Sequence, residues 1–164
     1  MTTYVSTMDT PIGPFTTIAD EDGCVLASGW TANANELPIA LADPPVARRD
    51  LGAVSRAIAA YHAGDLAAPD GVPIRQHSGP FLMAAWKVLR DIAPGEPVSY
   101  TELAARCGNP TAVRAAAQAC ARNAAALFVP CHRALCRDGT LGGFRWGPDV
   151  KRWLLSHESR RLTE

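Results

Sequence analysis

The chain has 164 residues with 16 basic and 16 acidic side chains, and it is 48% hydrophobic and 20% charged. That balance describes a soluble globular protein with enough apolar material for one domain or two small ones. No apolar run approaches the ~18 residues of a membrane-spanning helix, and no basic region followed by an apolar core opens the chain, so a cytoplasmic protein is expected. The five cysteines (Cys24, Cys107, Cys120, Cys131 and Cys136) are odd in number and include no Cys-x-x-Cys pair. Neither a disulfide framework nor a zinc ribbon is expected from them. Residues 1–80 hold nine acids and four bases, a net of −5, and the remainder a net of +5. A basic C-terminal half points weakly to a polyanionic partner.

Residues 3–30 read as an antiparallel meander. Tyr4 to Met8 is β-prone, Thr10-Pro11-Ile12-Gly13-Pro14 is a turn, and Phe15 to Ala19 is a second strand. A loop at Asp20 to Gly23 leads to a third strand, Cys24 to Trp30. Residues 31–46 are loop-like. From Val46 to His62 apolar residues recur at helical spacing (Leu51, Val54, Ile58, Tyr61), and Gly64 is a stop. The Gly- and Pro-rich stretch 64–79, with a short strand around Val72-Pro73-Ile74, separates an N-terminal α/β domain (1–78) from a helical C-terminal domain (79–164).

Phe81 to Ile92 is an amphipathic helix with Phe81, Ala85, Trp86, Leu89 and Ile92 on one stripe. Ser99-Tyr100-Thr101-Glu102 is a capping-box start for a helix to about Arg106. Gly108-Asn109-Pro110 breaks it, and Asn109 as cap with Pro110 at the first position opens a helix from Thr111 to about Arg122. Two short helices around a Gly-containing turn form a helix-turn-helix signature, although an ordinary helical hairpin reads the same way. The apolar run Ala124–Val129 is a short buried segment. A last helix, Pro148 to about Ser159, turns Val150, Trp153, Leu154 and Leu155 inward and presents Glu158.

Chemistry concentrates at Val129-Pro130-Cys131-His132-Arg133-Ala134-Leu135. A thiolate is the reactive form of cysteine, and neighbouring positive charge lowers the free-thiol pKa of about 8.5. Cys131 is therefore a candidate nucleophile, against the plainer reading of a buried structural thiol.

Pro130-Cys131-His132-Arg133 resembles the active-site signature of the O6-alkylguanine-DNA alkyltransferases, the methylated-DNA–protein-cysteine methyltransferases. Trp86-x-x-Leu89, Gly95, Ser99-Tyr100, Gly108-Asn109-Pro110, Arg114-Ala115, Asn123, Leu141-x-Gly143, Arg145-Trp146-Gly147 and Lys151-x-x-Leu154-Leu155-x-x-Glu158 follow in family order. The likeness is strong over about 79–159 and weaker at Thr10 to Pro14. It implies an α+β fold: a ribonuclease-H-like N-terminal domain with an antiparallel sheet, then a helical domain with a winged or helix-turn-helix DNA-binding motif.

The resemblance further implies irreversible transfer of an alkyl group from O6-alkylguanine in duplex DNA to Cys131, one event per molecule and without a cofactor, by a monomer. O4-alkylthymine is a second candidate substrate. His132 would act as base through a water, with Glu158 orienting it. Tyr100 would protonate the departing base, and Asn123 would brace the active-site turn. Arg114 would be the finger that replaces the extruded base, on a helix seated in the minor groove, with Thr111, Ala115, Cys120 and Arg122 as further DNA contacts. Backbone carbonyls of Cys131 and Ala134 would accept from the guanine amine, and Gly142, Gly143, Phe144, Arg145 and Trp146 would cover the base. Arg133 would brace the fold.

The sequence departs from the family pattern in places. Ala134-Leu135 replaces Val-Ile, Phe144 replaces tyrosine, Cys120-Ala121 replaces Asn-Gly, and Ala124 replaces proline after Asn123. Some members bind zinc in the N-terminal domain, but Cys24, His62 and His77 form no recognisable ligand set, so no metal is expected. A non-catalytic branch lacks the cysteine, which Cys131 argues against. Two other readings stand beside this one, a cysteine–histidine hydrolase and a DNA-alkylation sensor without repair. A hydrolase usually carries its histidine far from its cysteine in sequence.

Overall fold

The computed structural model describes residues 1–163, with side-chain surroundings through Ser159; Glu164 lies outside the described residues. The chain forms two compact units, residues 1–76 with 124–128, and residues 77–123 with 129–164. None of the helices among the described residues is long and apolar enough to cross a membrane.

The first unit is built on a four-stranded sheet in the order β3 (Val25–Gly29), β2 (Gly13–Asp20), β1 (Thr3–Thr10), β4 (Val46–Ala47). β1 (Thr3–Thr10) and β2 (Gly13–Asp20) form a hairpin whose register runs from Thr3 opposite Asp20 to Thr10 opposite Gly13. The expected turn closes it. Thr10 Oγ1 donates to the Gly13 carbonyl at 2.7 Å, and Gly13 takes a φ of 108°, a conformation open to glycine. β3 (Val25–Gly29) pairs antiparallel with β2 through a bulge at Ile18/Ala19. The strand expected around Ile74 is a single bridge to Val25.

The helix expected from Val46 begins seven residues later. Val46–Ala47 is β4, pairing parallel with Tyr4 and Val5. Asp50 Oδ1 then accepts from the Gly52 amide at 2.8 Å, and Gly52 turns at φ 64° to start α1, Ala53–His62. Apolar periodicity overran because a strand and a turn shared its spacing. The loop before β4 also contains a 3-10 turn, Ala34–Glu36, capped by the Asn33 side chain.

Phe15, Ile18, Val25, Val54, Ile58, Tyr61 and Phe128 form the buried core of this unit. Phe15 meets Trp30 edge-on at 4.9 Å, a favoured aromatic geometry. His62 belongs to this core: its Nδ1 lies 2.7 Å from the Ile58 carbonyl, and its Nε2 accepts from Trp30 Nε1 at 3.3 Å. Residues 124–126 extend the sheet edge, with Ser28 N donating to Ala124 O and Ser28 Oγ to Ala126 O, both at 2.8 Å.

The second unit is helical. α2 (Pro80–Asp91) starts with proline at its first turn, and buries Ala85, Trp86 and Leu89. β5 (Val98–Ser99) leads into α3 (Tyr100–Arg106), where Ser99 Oγ caps the Glu102 amide at 3.0 Å. The capping-box carboxylate of Glu102 pairs with Arg106. α4 is Val113–Ala121, later than expected, because Asn109, Pro110 and Thr111 form a turn in which the Asn109 carbonyl accepts from Ala112. Its Ala116 and Ala119 are fully buried, and the Ala119 carbonyl accepts from Trp86 Nε1 at 2.9 Å. A two-residue β6 (Ala134–Leu135) pairs parallel with β5. The last helix, α5 (Pro148–Thr163), runs past the expected end. Its buried stripe is Lys151, Leu154 and Glu158, whereas Val150, Trp153 and Leu155, expected inward, are half-exposed. Two charged side chains hold the innermost positions because the site supplies their partners.

Candidate active site

Pro130 ends the buried run, and Cys131–Arg133 forms a single 3-10 turn between it and β6. The turn buries all three side chains. Asn123 and Val129 flank the segment 124–128, and Asn123 Nδ2 donates to the Val129 carbonyl at 2.8 Å. The same carbonyl accepts from the Cys131 amide at 2.8 Å. The backbone leading into Cys131 is thus fixed by hydrogen bonds.

The His132 imidazole and the Arg133 guanidinium both reach Glu158 on α5. His132 Nε2 lies 2.7 Å from Glu158 Oε2, while Arg133 donates through Nε to Oε1 at 2.9 Å and through Nη2 to Oε2 at 3.0 Å. Arg133 Nη1 also donates to the Ile92 carbonyl at 2.6 Å. Burial opposes ionisation of Glu158, but His132 and Arg133 outweigh it and hold its carboxyl well below the usual carboxylate range. Nε2 is the ring nitrogen turned to the Glu158 carboxylate, and Nδ1 is the other. Nδ1 is buried and has no hydrogen-bond partner among the described residues.

The sequence suggested that adjacent charge depresses the Cys131 thiol. In the fold, burial pushes it up, and the opposing influences are Asn123, Lys151, the Cys131 amide and Arg145. The positive charges acting on the sulfur thus come from α5 and the loop before it, not from Arg133. A thiol held protonated at rest needs a base when it reacts.

Lys151 is fully buried, and the sequence reading gave it no role. Its Nζ donates to the Ala134 carbonyl at 2.8 Å and to the Gly143 carbonyl at 3.4 Å. It lies 5.9 Å from the centre of the Tyr100 ring and 6.0 Å from that of Phe144. It therefore ties β6 to the loop that follows. The signal was present: Lys151, Leu154 and Glu158 share one face at helical spacing, which places a lysine on an inward stripe. Burial, followed by the thiols of Cys120, Cys136 and Cys131, pushes the Tyr100 phenol above its ordinary range, so it remains a neutral donor. Tyr100 Oη stands 2.9 Å from where a side-chain carbon on Gly142 would lie, and Gly142 has a φ of 71°.

A protein-family model described as the 6-O-methylguanine DNA methyltransferase DNA-binding domain matches residues 80–160. The methylated-DNA–protein-cysteine methyltransferase of Shigella flexneri is 34% identical over 161 residues, covering 93% of this chain and 94% of its own. The chain belongs to the methylated-DNA–protein-cysteine methyltransferase family. The human member is 41% identical over 90 residues, 55% of this chain and 44% of its own. Among solved structures, Mycobacterium tuberculosis OGT in complex with DNA superposes with a TM-score of 0.81 at 29% identity, over 96% of this chain and 94% of that one. The O6-methylguanine-DNA methyltransferase of Pyrococcus kodakaraensis, at 19% identity and TM-score 0.67, shares the fold.

Against this methyltransferase family, the remaining expected residues divide into two groups. Arg114, at the second position of α4, and Arg122, at its C-cap, are exposed, as is Thr111 in the preceding turn. Ala115 is half-buried. Cys120, expected at DNA, is half-buried and lies within electrostatic reach of Cys131 and Lys151. Ala134 is fully buried, so its contribution to the site is its carbonyl, already held by Lys151. Gly142, Gly143 and Arg145 are exposed, and Phe144 and Trp146 half-buried, on the loop between β6 and α5.

Proposed function

We infer that this protein reverses O6-alkylguanine damage in duplex DNA by moving the alkyl group to Cys131. One observation carries this reading: His132 gives Nε2 to an ionised Glu158 and keeps a buried Nδ1 that has no partner among the described residues, in the nucleophile's own turn. The Cys131 thiol proton passes through a water to Nδ1, and Glu158 stabilises the imidazolium. The thiolate attacks the alkyl carbon in line. An S–C bond forms as the C–O6 bond breaks, and the electron pair leaves with the guanine. Tyr100, held neutral, gives that base a proton. The product is a thioether, which has no route back to a thiol here, so each molecule acts once.

The lesion lies inside a duplex, and the nucleotide must be extruded at a cost of a few kcal/mol. The exposure of Arg114 at the start of α4 supports its assignment as the finger that fills the gap, with Thr111 in the turn before that helix, Ala115 on it and Arg122 at its C-cap. In this reading residues 1–78 are an N-terminal domain, residues 79–164 carry the repair chemistry, and the active form is a cytoplasmic monomer.

Mass spectrometry after incubation with an O6-methylguanine duplex tests the chemistry. Cys131 gains one methyl group, product stops at one equivalent, and Cys131→Ala is inert. Continuous turnover would favour a hydrolase, and no mass gain a sensor. Arg114→Ala lowers duplex repair far more than transfer from free O6-benzylguanine. Equal losses would remove the finger assignment.

A further inference from the structure

The loop from β6 to α5 runs between two distinct parts of the second unit. The Gly143 carbonyl and the Phe144 ring face Lys151, at 3.4 Å and 6.0 Å, and so border the floor of the site. The next residue, Arg145, points the other way. Its Nη2 donates to the carbonyl of Ala121, the last residue of α4, at 3.4 Å. That bond is long and weak. The side chain is exposed, and among the described residues no carboxylate pairs with it, unlike Arg106 with Glu102 and Arg152 with Asp149. Its charge also reaches the Cys131 sulfur. Arg145 is thus an exposed cation next to Phe144, on the loop that borders Lys151, a position at the mouth of the proposed site.

An extruded nucleotide places its base inside and leaves its flanking phosphates at that mouth. Arg114 cannot serve both places, because it lies about 10 Å along α4 from Ala121, at 1.5 Å per residue. A planar guanidinium suits a phosphate through two parallel hydrogen bonds. We propose that Arg145 anchors the extruded nucleotide, exchanging the Ala121 carbonyl for the backbone phosphate beside the flipped base. The proposal rests on the repair reading above. It makes Arg145 a positioning residue for damaged DNA and gives the loop a reason to reach α4.

The test compares Arg145→Ala, Arg145→Lys and Arg152→Ala, each in a Cys131→Ser background so that the lesion is bound and not consumed. Binding to O6-methylguanine duplex and to undamaged duplex is followed by fluorescence anisotropy across a salt series. Arg145→Ala weakens lesion-duplex binding about tenfold and makes the salt dependence shallower by about one phosphate contact. Undamaged duplex binding changes by less than about twofold, since no nucleotide is extruded there. Arg145→Lys keeps the salt slope with intermediate affinity, and Arg152→Ala sets the background. With Cys131 restored, Arg145→Ala lowers duplex repair more than transfer from free O6-benzylguanine.

Equal weakening on both duplexes, an unchanged slope, or equal loss on the free base would each overturn the proposal. The methyl mass on wild-type Cys131 reads the repair chemistry separately. If that mass is absent, both readings fall; if it is present and Arg145→Ala binds like Arg152→Ala, only the anchor falls.

Discussion

Glu158 Oε2 lies 2.7 Å from His132 Nε2 with both side chains fully buried, and the same carboxylate takes two hydrogen bonds from Arg133. One anion therefore holds the imidazole and neutralises the buried guanidinium. Glu158→Gln keeps the shape, removes the charge and leaves Arg133 without its counter-ion. Under the proposed mechanism, in which His132 is the base, losing its orienting carboxylate costs about a hundredfold or more in alkyl transfer. Breaking a buried pair on one side costs about 3–5 kcal/mol in stability. The pH dependence has a defined sign. The carboxyl titrates lower in the fold than in the unfolded chain, so its stabilisation is complete above the ordinary glutamate value of about 4.3 and fades as pH falls through the folded value. Urea unfolding of wild type and Glu158→Gln shows a gap that is widest at neutral pH and narrows in acid. A gap independent of pH would contradict the assignment.

Lys151 gives a second prediction. Its charge opposes the burial that pushes the Cys131 thiol up, and its Nζ spans the Ala134 and Gly143 carbonyls. Lys151→Met preserves the stem, removes the charge and leaves two carbonyls without this donor. The pH profile of Cys131 alkylation by iodoacetamide shifts to higher pH, and the transfer rate at neutral pH falls by about tenfold, equivalent to one pKa unit or about 1.4 kcal/mol. A merely structural lysine would lower stability and leave the profile in place.

Gly142 and Gly143 are adjacent and should differ. A methyl group on Gly142 meets the Tyr100 hydroxyl at 2.9 Å, at a backbone φ of 71°, whereas Gly143 has open space around the same position. Gly142→Ala costs about 1–3 kcal/mol from backbone strain alone, and the displaced phenol slows transfer from free O6-benzylguanine. Gly143→Ala stays within about 0.5 kcal/mol of wild type in stability, as expected for an uncrowded surface position. Thermal unfolding and single-turnover rates separate the two.

The contrast between legible and hidden features is physical. The β1–β2 hairpin was readable because Pro11, Ile12 and Gly13 encode its turn locally. β4 was not, because Val46–Ala47 acquires strand geometry from Tyr4–Val5, some forty residues earlier. The association of His132 with Glu158 was legible only through the family resemblance, and the 2.7 Å contact agrees with it. The direction of the thiol shift was not legible, since His132 and Arg133, its neighbours in sequence, face Glu158, while the charges acting on it arrive from Lys151 and Arg145. Sequence adjacency to a nucleophile fixed neither orientation nor field. Lys151 escaped because a charge on an apolar stripe is ordinarily a surface residue, and only the carbonyls of Ala134 and Gly143 explain its burial.

Asn123 joins the backbone brace to the sulfur. Its Nδ2 donates to the buried Val129 carbonyl at 2.8 Å, and its amide is the first influence opposing burial at the Cys131 thiol. Asn123→Ala leaves that carbonyl without this donor, at a cost of about 1–3 kcal/mol. Asn123→Asp is nearly isosteric, but an ionised carboxylate cannot donate to Val129 and adds a negative charge beside a thiol that must become an anion. If Asn123 only holds the turn, the two variants lose stability and transfer rate in proportion. If it also supports the thiolate, Asn123→Asp moves the iodoacetamide profile of Cys131 further upward in pH than Asn123→Ala does. Stability from urea unfolding and the alkylation profile, measured on the same two proteins, separate bracing from activation.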